Sequence, residues 1–248
     1  MEVSADGPVV VVSPHLDDAA LSAWSVLTGD GPVDVLNVFS GVPGRGFVTR
    51  YDRLVGGTES AVLFEERLAE DRRALALAGR VPRGLGFLER QYRDGPVDIA
   101  TIAAAIEAEI PACSELVLPS GIGGHEDHVV VRDASFELAG ADVPITLYAE
   151  LPYAIHKGWP HWVTGYDPDP HLDPESDWDF YLATVPCDRD ALRVSVRTLS
   201  DGVAKEKLSA LRTYRTQFSS LNSGIVNRFG NPAVLRHEVF WRVESERA

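Results

Sequence analysis

Val9-Val10-Val11-Val12-Ser13-Pro14-His15-Leu16-Asp17-Asp18 is the stretch on which the fold turns. Four β-branched residues in a row, bounded by Gly7-Pro8 and Ser13-Pro14, spell a strand buried on both faces of a parallel sheet; a half-exposed strand would alternate. Asp17-Asp18 then opens a helical stretch, Ala19 to Leu27, closed by Gly29. Val33 to Phe39 reads as a second strand, which completes a βαβ unit.

Working outward, Ser40 to Ser60 carries six glycines and prolines among its residues and reads as a long loop, a candidate lid. Ala61 to Ala78 reads as a charged helix stopped by Gly79, with Pro82 beyond. Ile99 to Glu109 is a further helix, Glu115 to Pro119 a short strand, and Ser120-Gly121-Ile122-Gly123-Gly124 a glycine-rich loop. Pro160 to Asp179, dense in Pro, Asp and His, reads as surface loop. Lys205 to Gln217 is expected to be helical and His237 to Arg242 to be a terminal strand. Strands alternating with helices predict an α/β fold whose sites gather at the carboxyl ends of the strands, and no linker divides residues 1–248.

The chain has 248 residues, with 23 Lys and Arg against 37 Asp and Glu, a formal charge of −14. Such a surface repels phosphate backbones and anionic lipid, so no nucleic-acid or membrane partner is expected and a small molecule is. Cys113 and Cys187 lie far apart with no CxxC spacing and read as free thiols. There is no basic leader before the short run Pro8 to Val12, and the expectation is a cytoplasmic protein.

Two clusters of potential metal ligands fall at predicted strand ends: His15, Asp17 and Asp18 after the first strand, and His125-Glu126-Asp127-His128 after the glycine loop. A catalytic zinc takes three protein ligands from His and carboxylate and keeps one position open. His15, Asp18 and His128 form one such set. Asp17 and His125 are then left beside the metal, and they suit a general base and a general acid or oxyanion stabiliser, with Asp127 holding the His125 imidazole. Plainer readings compete. Asp17-Asp18 also suits a helix N-cap and a first-turn acid, and a His-x-x-His pair on a polar loop is commonly just solvated. His156, His161 and His171, in the Pro-rich region, read as surface positions.

Ser13-Pro14-His15-Leu16-Asp17-Asp18 resembles the Pro-His-x-Asp-Asp motif of the LmbE-like, or PIG-L, deacetylases, and His125-Glu126-Asp127-His128 is similar to that family's His-Pro-Asp-His motif. Arg67-x-x-Glu70-Asp71, followed by Ala74 and Gly79, resembles its charged helix. The resemblance spans roughly the first 135 residues, with echoes at Leu151-Pro152-Tyr153 and Lys205 to Gln217. It implies a Rossmann-like three-layer sandwich with a mostly parallel sheet, a single domain over 1–248, and a Zn2+-dependent hydrolase that removes an acyl group from the nitrogen of an amino sugar, in secondary metabolism or thiol-cofactor synthesis. It implies the same roles for His15, Asp18, His128, Asp17, His125 and Asp127. Leu16 and Ala19 depart from the family pattern at non-ligand positions, and Glu126 replaces a proline, adding a carboxylate able to raise the pKa of His125.

For the substrate, Arg67, Asp52, Glu89 within Glu89-x-Gln91-Tyr92-Arg93, and Tyr153 are the expected contacts, against the alternative of solvated surface charge. Two other functions are compatible with these residues: a metal-dependent amidase of a thiol conjugate or another C–N bond, and a sugar-binding module without catalysis. A homo-oligomer is also compatible. The first strand is not followed by GxGxxG, which disfavours dinucleotide binding.

Overall fold

The structure, a computed structural model, describes residues 7–110, 115–138, 143–221 and 232–244. In chain order its elements are β1 (Val9–Ser13), α1 (Asp18–Ser22), α2 (Trp24–Leu27), β2 (Val33–Asn37), α3 (Arg50–Leu54), α4 (Ser60–Ala76), β3 (Pro82–Gly84), α5 (Ile99–Glu109), β4 (Glu115–Pro119), α6 (Glu126–Leu138) and β5 (Ile145–Tyr148). There follow α7 (Tyr153–Lys157), α8 (His161–Thr164), α9 (Pro174–Leu182), β6 (Leu192–Thr198), α10 (Asp201–Leu211), α11 (Arg215–Leu221), α12 (Pro232–Arg236) and β7 (His237–Val243).

The strands form one seven-stranded sheet in the order β3-β2-β1-β4-β5-β7-β6. Neighbours from β3 through β5 run parallel, and β7 and β6 add an antiparallel edge. Helices flank the sheet in two groups: α1, α4 and α10 pack together, and α5 packs on α6. The mostly parallel α/β sandwich expected from the sequence is therefore present. Val10, Val11 and Val12 are fully buried, as the unbroken apolar run required, and each contributes about 1.5–3 kcal/mol of transfer free energy. The chain builds β2 and β3 on one side of β1 and β4 on the other. That reversal opens a crevice between the carboxyl ends of β1 and β4, the place where open α/β sheets bind ligands.

Several local expectations are corrected. The helix expected from Ala19 to Leu27 breaks at Ala23, because the buried Glu238 carboxylate of β7 accepts the backbone N–H groups of Trp24 and Ser25 at 2.9 Å each and so caps a new helix. Glu238 is itself paired with the buried Lys207 at 2.6 Å. The Ser40–Ser60 loop contains α3, capped by Thr49 accepting from the Asp52 N–H. Pro160 to Asp179 is not plain surface loop: it holds α8 and the start of α9, which Asp173 caps and Pro174 begins, and it buries Val163 and Trp178. Lys205 to Gln217 is split into α10 and α11 where Tyr214 turns into the core.

Among the described residues no helix is long and apolar enough to cross a membrane. Cys187 is a free thiol, and Cys113 lies outside the described residues. His156, His161 and His171 are exposed, as expected.

Candidate metal centre and active site

The first cluster is shaped by the turn that leaves β1. Ser13 Oγ donates to the His15 carbonyl at 2.7 Å and accepts from the Ala19 N–H at 3.0 Å, pinning the turn to the start of α1. Asp17 occupies the N-cap position but its side chain makes no capping bond, so the plain capping reading fails for it. Asp18 Oδ2 accepts from the His15 N–H at 2.8 Å and turns toward the imidazoles.

The second cluster is not on a loop, as expected, but in the first turn of α6, with His125 just before it. The glycines upstream are demanded by geometry. Gly123 has φ +97°, and a Cβ there would lie 2.6 Å from the Cβ of Tyr153, so a larger residue would push Tyr153 off the site.

Across the crevice, His15 Nδ1 stands 3.4 Å from Asp18 Oδ2, His128 Nε2 stands 3.2 Å from the same oxygen, and the two ring nitrogens are 3.2 Å apart. Ligands at about 2.0–2.1 Å from a tetrahedral zinc are about 3.3 Å from one another, so the triangle has the edge such an ion requires. The far nitrogen of each ring faces a carboxylate: His15 Nε2 lies 3.0 Å from Asp127 Oδ2, and His128 Nδ1 lies 3.4 Å from Glu150 Oε1. With the ring protons directed to those carboxylates, both remaining lone pairs and the Asp18 oxygen converge on one point, an arrangement that only positive charge relieves. The donor set fits a divalent cation. The imidazole of His125 joins the group, with one ring nitrogen from each of His15, His125 and His128 inside 4.8 Å. The triangle through Asp18 is tighter than the one through His125, whose Nδ1 already accepts the Asp127 N–H at 3.2 Å.

Electrostatics follow from this crowding. His15 and His128 resist the lowering that burial imposes: Asp127 and Asp18 hold His15 well above its usual value, and Asp18 raises His128 to about 9. Asp18 is held far below the carboxylate range, the pull of His128 and His15 overcoming burial. Burial and the adjacent Asp18 raise Asp17 to about 7. Burial and the neighbouring His15 and His128 lower His125 to about 4.

One expectation is thereby corrected. Asp127 backs His15, not His125; its Oδ1 takes Arg93 at 2.5 Å, and its Oδ2 takes the Arg90 N–H at 2.9 Å. The Glu126 carboxylate is drawn away to Arg90 and Arg93.

The cleft over the triangle has a volume of about 270 Å³ and is lined by Asp17, Tyr51, Arg67, Glu89, His125 and Tyr153 among others. Arg67, Glu89 and Tyr153 thus reach it. Asp52 does not; it is fully buried, and its carboxylate takes Arg67 Nη2 at 2.9 Å, Ser60 Oγ at 2.6 Å and the Tyr92 hydroxyl, so it orients Arg67 instead. Arg67 Nε has no hydrogen-bond partner among the described residues. Glu89 Oε2 takes Gln91 Nε2 at 2.7 Å. A second hollow of about 290 Å³, beside Trp162 and Trp178, contains none of these groups. Sequence reasoning missed Glu150; its sole signal is a lone acid following the largely apolar stretch Ile145 to Ala149.

The fold is that of solved deacetylase structures, and the sequence is similar to that of a curated deacetylase. It is 32% identical over 167 residues to the 2'-N-acetylparomamine deacetylase of Streptomyces fradiae, an alignment covering 60% of this chain and 58% of that protein. The chain thus spans less than two thirds of the curated relative it matches. The crystal structure of the A40926 pseudoaglycone deacetylase superposes with a TM-score of 0.72 at 26% identity, over 99% of this chain and all of that one. A triple mutant of a deacetylase involved in the teicoplanin biosynthetic pathway superposes equally well, with a TM-score of 0.72 at 25% identity over 97% of this chain. No family model matches the sequence.

Proposed function

We propose that this protein is a zinc-dependent N-deacetylase that hydrolyses the amide between an acyl group, typically acetyl, and the nitrogen of an amino-sugar-containing small molecule. The observation that carries the reading is the triangle of His15 Nδ1, Asp18 Oδ2 and His128 Nε2, with Asp17 and His125 beside it and uncommitted to it. His15, Asp18 and His128 would hold the ion, which when bound supplies Lewis acidity at the amide and makes water acidic enough to attack near neutral pH.

Asp17 is the general base: it lines the cleft, and its carboxyl is not used as a helix cap. His125 is better suited to oxyanion stabilisation than to action as an imidazolium. Its Nδ1 accepts the Asp127 N–H, so the neutral ring carries its proton on Nε2 and donates it toward the developing charge. Asp127 is a positioning residue for His15. Arg67, Glu89 and Tyr153 are the substrate contacts, and Asp52 acts through Arg67.

Support for the substrate class comes from the relatives, whose names specify 2'-N-acetylparomamine and the A40926 pseudoaglycone. An antibiotic-type amino sugar made in actinobacterial secondary metabolism is the corresponding reading here. Residues 1–248 are taken as one domain, in keeping with the single sheet that runs from β1 to β7, and the protein is taken to be cytoplasmic. The test is acetate release from a panel of N-acetylated amino sugars and larger amide conjugates, before and after chelation and with zinc restored. Activity indifferent to chelation, or confined to conjugates without an amino sugar, would reject this function.

A further inference from the structure

We propose that Glu150 is the positioning carboxylate of His128, holding the ring so that Nδ1–H points to β5 and Nε2 points into the ligand triangle. This rests on the metal-site reading above. Glu150 lies two residues beyond the end of β5, which pairs with β4, the strand that leads into the glycine turn, and it is fully buried. Its Oε2 accepts Ser120 Oγ at 2.6 Å and the Ile122 N–H at 3.3 Å, and its Oε1 accepts the Gly121 N–H at 2.6 Å. The same Oε1 faces His128 Nδ1 at 3.4 Å, a long contact because the oxygen is shared.

One carboxylate therefore grips both the turn that launches α6 and the histidine on its first turn. Ser13 and Asp127 tie the other ligand, His15, to its surroundings in a parallel way, by a turn bond at 2.7 Å and a carboxylate on the far ring nitrogen at 3.0 Å. A histidine with a carboxylate on its outer nitrogen has its tautomer and plane fixed and its ligating nitrogen made more basic. A carboxylate that only anchored the backbone turn would have no effect on the metal.

The test uses the full chain and Zn2+ alone as the probe, with affinity measured by competition against a chelator. Glu150→Gln keeps the shape and an acceptor but loses the charge, and its zinc affinity is expected to fall about 10–100-fold with little change in the melting temperature of the metal-free protein. Glu238→Gln is the contrast: it breaks the buried pair with Lys207, and should lower the melting temperature while leaving zinc affinity as in wild type. Equal zinc affinity for Glu150→Gln and wild type would overturn the inference and leave Glu150 a backbone anchor. Failure of wild type itself to bind zinc would overturn the metal-site reading instead, a distinguishable result. Should Glu150→Gln not fold, wild type alone decides: a slowly exchanging His128 Nδ1–H resonance in the zinc-loaded protein is expected, and its absence overturns the inference.

Discussion

The His15 and His128 imidazoles meet with Nδ1 and Nε2 3.2 Å apart, while their outer nitrogens face Asp127 and Glu150. The proposed metal centre rests on that approach, with Asp18 Oδ2 within 3.4 Å of both nitrogens. From this relationship the roles of the surrounding groups can be separated by mutation.

Loss of a ligand and loss of the base should look different. His15→Ala should bind zinc too weakly to retain it through desalting, and should be inactive for that reason. Asp17→Asn should retain wild-type zinc content but lose about 10²–10⁴-fold in kcat. Metal analysis alongside acetate release checks both, and an active Asp17→Asn enzyme would remove Asp17 from the mechanism.

His125 is assigned a hydrogen bond made in the transition state, so its removal should lower kcat more than it changes KM. His125→Ala is expected to lose about 10²–10³-fold in kcat, with zinc affinity near wild type. A large loss of zinc instead would place His125 among the ligands, as its proximity to His15 and His128 also allows.

Asp52 and Arg67 are both essentially fully buried, so breaking their pair leaves an uncompensated charge inside the protein. Asp52→Ala should destabilise the fold by about 3–5 kcal/mol, seen as a lower urea midpoint. Arg67→Lys keeps the charge but not the fork that spans Asp52 and Tyr92, and should chiefly raise KM. A substrate-contact role for Asp52 itself would show as a KM effect without loss of stability.

Asp71 predicts a pH dependence of stability. Burial raises its pKa from 3.8 to about 7, against hydrogen bonds from Tyr214 and Asn37 that favour the anion. Below 3.8 both folded and unfolded chains carry the proton and pH has no effect through this group. Between there and about 7 the unfolded chain releases the proton while the native state keeps it, so stability falls as pH rises, by up to about 4 kcal/mol, and is flat above. Asp71→Asn removes this slope and keeps the Tyr214 bond; the Asn37 amide, whose Oδ1 has no partner, can turn to accept from the new side chain. Urea midpoints at pH 4.5 and 8 should converge for the variant relative to wild type. Parallel curves for the two proteins would show that Asp71 titrates normally.

Much of this protein was legible before its structure. The run Val9 to Val12 is β-branched on every residue, which suits an inner strand, and the position of His15 just past β1 followed from the α/β alternation, whereas His128 lies in the first turn of α6. Elements with weak local signals were missed or misread. Pro160 to Asp179 looked like loop because its helices bury few residues, Val163 and Trp178 among them. The break at Ala23 has no local cause at all, since the carboxylate that makes it comes from Glu238, more than two hundred positions along the chain.

The sequence by itself determined the sheet's inner strand and the grouping of His15, Asp17 and Asp18 just past it, because these residues lie within one turn and their relations are local. Only the tertiary structure decided which carboxylate serves which imidazole. Asp127 backs His15 across 112 positions of sequence, Glu150 backs His128 from just beyond the end of β5, and Asp52 is spent on Arg67 instead of facing the cleft. Those pairings depend on strand order and register, which bring distant side chains within hydrogen-bond reach and leave no mark in the spacing of the residues themselves.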